Sequence, residues 1–246
     1  MVLQRTNIHA AALIAASIVF LSFLPVNATV LDFSGLPAGA VVAGQTPSGG
    51  THPGDTFVDI TLSCVNDGRG PNSIIVFDSQ APTGNDADLG TPNEDFDGPG
   101  VGSGGGQGAP GENARLYGNL LIIAEDLCDR NGDDLVDDPD DEACGGVYIF
   151  DFESAVQVMN VVLIDIDHDE SAEVRLYGIG GLIATIPASA WGSNSVQSLS
   201  CEQHLGVLRM EVEISSSGAI AEVEYVLDTS PVEQATWGAL KATYSQ

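Results

Sequence analysis

The sequence predicts an all-β chain: an antiparallel β-sandwich, jelly-roll-like, with a long Gly/Asp-rich loop. Three observations predict it. Short β-branched runs bounded by Gly, Pro, Asn and Asp recur along the chain. Two late segments, 208–214 and 221–226, alternate apolar and charged residues as half-buried antiparallel strands do. No segment sustains a helical period, and many short strands with frequent turns pack as two sheets.

Taken in order, residues 1–28 read as a signal peptide. Arg5 lies in a short polar start, an apolar run follows from about 10 to 24, and Val26-Asn27-Ala28 is a small-residue cleavage site. The alternative, a retained anchor, is disfavoured because the run is short and alanine-rich. A single β-sandwich domain is expected over 29–246, secreted and extracellular, with no membrane association after signal removal. Candidate strands are 30–33, 57–63, 73–77, 120–124, 147–152, 156–166, 173–177, 182–186, 196–199, 207–214 and 220–227. Between the third and fourth lies 85–113, polar and glycine-rich, with GPGVGSGGGQGAPG at its centre. It lacks the strand, helix and basic residue of a phosphate cradle, so it reads as a flexible surface loop.

The stretch 128–146, CDRNGDDLVDDPDDEACGG, crowds eight carboxylates between two cysteines. Such a density of hard oxygen donors is what Ca²⁺ coordinates, although a solvated acidic loop is the plainer alternative. Counted from Asp129, oxygen side chains fall at the first, third, fifth, ninth and twelfth places of an EF-hand-type loop. The candidate ligands are Asp129, Asn131, Asp133, the Leu135 carbonyl, Asp137 and Asp140. Asp134 replaces the usual glycine, Asp140 the usual glutamate, and no flanking helix is predicted. A helix-less calcium loop fits better than a true EF-hand. Leu135-Val136 offers an apolar anchor.

With 35 acidic residues against 7 basic ones, the formal net charge is −28. That surface repels nucleic acid and anionic lipid, and divalent cations would relieve its self-repulsion. Adaptation to a salty environment is a competing explanation. Four cysteines suit an oxidising compartment. Cys128 with Cys144 would close the acidic loop, leaving Cys64 and Cys201 to join an early strand to a late one.

Four segments, IIVFDSQAPTGNDADLG at 74–90, GNLLIIAED at 118–126, DDPDDEACGGVYIFDF at 137–152 and VVLIDIDHDE at 161–170, form an ordered set. Together they resemble secreted bacterial jelly-roll domains often found in proteins that carry a PEP-CTERM sorting signal. The resemblance implies an extracellular β-sandwich with clustered acidic residues and no known activity. This chain ends without the sorting signal, so anchoring is not expected, and Cys144 departs from the pattern. Residues two apart in an extended chain face the same way, so Asp86 with Asp88 and Asp165 with Asp167 could each present two carboxylates to one cation. A second cation site is expected from a subset of Asp78, Asp86, Asp88, Glu125, Asp165 and Asp167.

Function is left among three readings. The first is a non-catalytic, calcium-stabilised module binding extracellular polysaccharide or matrix, with Tyr177, Trp191 and Trp237 as sugar-stacking candidates. The second is a carbohydrate-active enzyme, a glycoside hydrolase or lyase, using paired carboxylates. The third is a purely structural matrix protein. No G-x-S-x-G elbow is present, no catalytic residue is nominated, and the histidines sit in polar loop contexts.

Overall fold

A computed structural model describes residues 28–42 and 60–228. The expected signal peptide, residues 1–28, lies outside the described residues apart from Ala28, as does Trp237. The described residues form eleven strands: β1 (Thr29–Leu31), β2 (Val41–Val42), β3 (Ile60–Asn66), β4 (Ile74–Asp78), β5 (Asn119–Ile123), β6 (Gly146–Ile166), β7 (Ala172–Gly178), β8 (Gly181–Pro187), β9 (Gly192–Ser200), β10 (Val207–Ile214) and β11 (Ala219–Leu227). Every pairing between them is antiparallel. Among the described residues there is no α-helix, and the fold is the all-β sandwich expected.

The long strand β6 serves both sheets. Its first half pairs with β3 along one edge and β10 along the other, and β7 and β8 extend that sheet. Its second half pairs with β9 and β11, and the second sheet continues from β11 through β5 and β4 to β2, with β1 also beside β11. The sequence predicts two strands here, at 147–152 and 156–166. The polar Glu153-Ser154 that separates them lies at exposed positions within one continuous strand.

Two apolar layers explain the two sequence patterns. In β10, Met210, Val212 and Ile214 are buried between the sheets, while Arg209, Glu211 and Glu213 face outward among ion pairs with Asp151 and Arg175. One wet face gives alternation. In β4 and β5 the run is unbroken because both faces are dry. Ile74, Val76, Leu121 and Ile123 join the inter-sheet core with Phe150, Val161 and Leu163 of β6. Ile75, Phe77, Leu120 and Ile122 form a separate layer with Leu89, Val136, Val162, Ile164 and Ala221. Leu89 and Val136 belong to the long connections after β4 and β5, which drop onto the outer face of the second sheet and seal it.

The glycine-rich segment takes part in this cover. It is expected to ride over the surface without supplying a core, yet it contributes the fully buried Leu89 to the outer apolar layer. Its backbone also packs tightly: a Cβ on Gly104 would meet the Gly192 carbonyl, and one on Gly105 the Asn194 carbonyl. Only glycine allows so close an approach to β9. Buried amides bind the layers together, with Asn194 Oδ1 accepting from Asn93 Nδ2 (2.7 Å) and Asn113 Nδ2 (3.1 Å), while Asn194 Nδ2 donates to the carbonyls of Asp88 and Gly90.

The expected disulfides are corrected: all four cysteines are free. Cys64 lies opposite Tyr148 on β6, whereas Ser200, just before Cys201, lies opposite Asn160 on the same strand. The two registers are on the order of 40 Å apart along β6 at strand rise, and a disulfide needs Cα atoms within about 7 Å. Both buried thiols are pushed up by desolvation, to about 11 for Cys64 and about 12 for Cys201. Cys128 and Cys144 are exposed. The acidic loop is closed by backbone bonds from Asp137 N to Cys128 O and from Val136 N to Gly39 O, with Val136 buried beneath.

Candidate metal centre

Three carboxylates, Asp86 distant in sequence from the adjacent Asp140 and Asp141, meet above the sealed face. One oxygen from each lies within 4.8 Å of the others. Local structure explains the convergence. Asp86 precedes a 3₁₀ turn, Ala87–Leu89, pinned by the fully buried Leu89. Asp140 and Asp141 are aligned by pairing with the end of β5, where Glu125 N donates to Asp140 O and Glu142 N donates to Ile123 O. Asp141 N donates to Asp86 Oδ2 (3.1 Å), and Gly218 N, from the turn between β10 and β11, donates to Asp141 Oδ2 (2.7 Å).

A wider ring of acids surrounds this triad. Asp165 is 2% exposed and sits at a bulge where β6 slips against β9, in the left-handed region with φ 67°. Its Oδ1 accepts from Asn194 N at 2.6 Å, and its Oδ2 lies 3.5 Å from the Ser217 hydroxyl. Asp88, Asp167 and Glu170 interact electrostatically with Asp141 and Asp165 or with one another. Glu125 lies beside Asp140.

The electrostatics are those of crowded, desolvated anions. Burial, then the charge of Asp141, pushes Asp86 up to about 8. Burial, then the charge of Asp88, pushes Asp165 up to about 8. Asp140 rises to about 6 through burial and then Glu125, while Asp88, Asp141 and Glu170 are also raised, chiefly by burial. The charged neighbours that move these groups are carboxylates, with no lysine or arginine among them. At neutral pH such a centre must hold protons or a cation. The residues present fit a hard divalent ion: oxygen donors only, several of them pre-oriented by backbone N–H groups.

The predicted second site is thus brought together in part. Asp86 is a member of the triad, and Asp88, Glu125, Asp165 and Asp167 surround it. Asp78 lies apart, near Asp133. The reasoning from extended chain needs correction, because Asp86 caps a 3₁₀ turn that contains Asp88, and Asp165 sits on a bulge. Asp140, expected as the last ligand of the acidic loop, belongs to the triad. Asp141 is missing from the expected ligands, since nothing in a run of aspartates marks the one that pairs with β5. Asn194, Ser217 and Gly218 carry no sequence signal either.

The loop itself is ordered by its own carboxylates. Asp129 accepts from Gly132 N, Asp133 N and Asp134 N, bonds that hold its carboxyl below the usual range. Asp134 takes the glycine-like turn with φ 66°. Asn131 Oδ1 accepts from Asp133 N, Asp133 Oδ1 from Leu135 N, and Asp137 Oδ2 from Arg130 N. Of the stacking candidates, Tyr177 is half-buried on the outer face of β7 and donates to Glu211 Oε2 at 2.9 Å. Trp191 lies against Gly111 of the glycine-rich segment. No family model and no curated protein matches this chain.

Proposed function

We propose that this chain is an exported, non-catalytic β-sandwich module whose loop layer is closed by Ca²⁺ and which binds extracellular glycan or matrix. The observation that carries the cation is the meeting of Asp86, Asp140 and Asp141 within 4.8 Å, ringed by further carboxylates and with no basic partner among the described residues. A cation there relieves repulsion among segments that come from separate stretches of chain, so it acts as a clamp on the cover rather than as a decoration of one loop. The acidic loop at 129–137, already wrapped around the Asp129 carboxylate, is proposed as a second place for the same ion. Export and the likeness to secreted jelly-roll domains rest on the sequence.

One observation favours the enzymatic alternative. Asp86 and Asp165, at about 8, are carboxylic acids at neutral pH, as a general acid must be. Both raised groups lie among other carboxylates, which a clamp needs and a substrate-facing acid does not. The test is a thermal melt of the mature protein with Ca²⁺, with Mg²⁺ and with chelator. A ligand at about 100 times its Kd stabilises by about 2.7 kcal/mol, which at this size is a rise in midpoint of roughly 5 to 10 °C. A Ca²⁺-specific rise supports the proposal, and coincident melts refute it. Release of reducing ends or unsaturated products from a polysaccharide panel would instead support the enzyme.

A further inference from the structure

A cleft of about 270 Å³ opens on the same side of the second sheet, where three connections meet. Its walls come from the turn before β2, from the chain leaving β4 between Asp78 and Thr83, and from the acidic loop between Asn131 and Pro139. Part of the lining is acidic, with Asp78, Asp133 and Asp137. Another part is apolar, with Leu135, Val136 and Pro139. The walls are fixed to each other: Thr83 Oγ1 donates to Pro139 O at 2.8 Å, and Val136 N donates to Gly39 O at 2.9 Å. The carboxylates are fixed too. Asn131 Nδ2 donates to Asp133 Oδ2 and Asp137 Oδ1, and Gln80 N donates to Asp78 Oδ1.

This lining decides the class of ligand. Ionised carboxylates only accept hydrogen bonds, so the occupant must donate several. No lysine or arginine lines the cleft, so its own side chains repel an anionic ligand. The apolar part asks for a face of C–H groups, and the volume falls just below the roughly 300 Å³ at which drug-sized pockets begin. A single sugar ring has this combination of hydroxyl donors around its edge and C–H groups on its face. We propose that this cleft is the glycan site of the module and that it takes one uncharged hexose unit, its hydroxyls on Asp78, Asp133 and Asp137 and its C–H face on Leu135, flanked by Ala38 and Ala81.

The inference deepens the glycan-binding reading and rests on it. It moves the expected sugar contacts away from Tyr177 and Trp191, neither of which lines the cleft. Asn131, Asp133 and Asp137 also belong to the proposed calcium loop, so the cation would hold that wall in place from behind.

The experiment is saturation-transfer NMR and calorimetric titration of the mature protein in Ca²⁺. The probes are cello-, malto-, laminari- and mannohexaose, with hexagalacturonate and hexaglucosamine as charged controls. At least one neutral hexaose is expected to bind, and Ala81→Trp, which fills the cleft from an exposed lining position, should weaken it tenfold or more. Ala38→Leu, on the turn before β2, should weaken it as well. Both variants should keep the wild-type Ca²⁺ shift in the melt, which shows that fold and cation are intact. The inference is overturned if no neutral hexaose binds, if a charged control binds more tightly, or if both variants bind as wild type. A retained Ca²⁺ shift with no neutral glycan bound would sink the cleft and leave the calcium clamp standing, whereas a lost shift would sink the clamp.

Discussion

Replacing Asp165 by Asn should stabilise the metal-free protein, although it removes a charge from a hydrogen-bonded position. Asp165 is 2% exposed, and its carboxyl rises from 3.8 in the unfolded chain to about 8 in the fold. A folded value above the unfolded one means that the native state takes up a proton between those limits. The associated stability is complete below about 4 and is lost as pH rises towards 8. At pH 7.5 the gap from 3.8 is nearly four units, which sets an upper bound of about 5 kcal/mol at roughly 1.36 kcal/mol each. The amide keeps the acceptor that Asn194 N requires and tolerates the left-handed backbone at 165. It abolishes the titration. In chelator at pH 7.5 the midpoint of Asp165→Asn should therefore exceed that of the wild type, by at most roughly 10 to 20 °C at about 2 to 4 °C per kcal/mol. The excess should shrink as pH falls to 4. Circular-dichroism melts of both proteins from pH 4 to 9 measure it. A variant less stable than the wild type at every pH, or two parallel pH profiles, would refute the reasoning.

Other consequences are equally direct. Asp86→Asn with Asp140→Asn should remove more than half of the Ca²⁺-induced rise in midpoint, measured as in the melts above, while raising the chelated baseline at pH 7.5. Asn194→Ala breaks the amide network joining β9 to the glycine-rich segment and leaves Asn93 and Asn113 without their shared acceptor. Denaturant titration should show a loss of about 2 to 4 kcal/mol, and hydrogen exchange should quicken first across 90–113. Tyr148→Phe deletes a buried hydroxyl that accepts from Ile123 N and donates to Gly218 O. It should cost about 1 to 3 kcal/mol in the same titration, because Ile123 N is left unsatisfied. A thiol reagent applied to the native protein should label Cys128 and Cys144 rapidly and reach Cys64 and Cys201 only on unfolding. No labelling before reduction would mean the cysteines are bridged.

Much of the fold is legible because burial leaves a period in the sequence. The alternation of Met210, Val212 and Ile214 marks a sheet with one wet face, and the unbroken runs at 74–77 and 120–124 mark strands dry on both sides. The runs do not say what dries the second face. That cover is glycine and aspartate, held by Leu89, Val136 and a few buried amides, and composition alone reads it as loop. The site is legible as a set of residue types but not as an arrangement. Asp86, Asp88, Asp165 and Asp167 stand out as carboxylates two apart in sequence, but extended chain is the wrong local geometry for them, since a 3₁₀ turn and a β-bulge take its place. Asp140 and Asp141 join the triad because they pair with the end of β5, a long-range contact that no local pattern encodes. The expected cysteine pairing departs from the structure for a related reason: an even count allows bridges, and only the register along β6 shows that Cys64 and Cys201 lie far apart.

The central claim, a divalent ion seated among protonated carboxylates, is tested most directly by calorimetric titration of Ca²⁺ at pH 7 in buffers of differing ionisation enthalpy. Asp86 and Asp165, at about 8, hold protons that the ion must displace. The account predicts saturable uptake with an apparent enthalpy that changes with the buffer, equivalent to release of about one proton or more per protein. Absence of binding heat in every buffer, or uptake with no proton released, would contradict it.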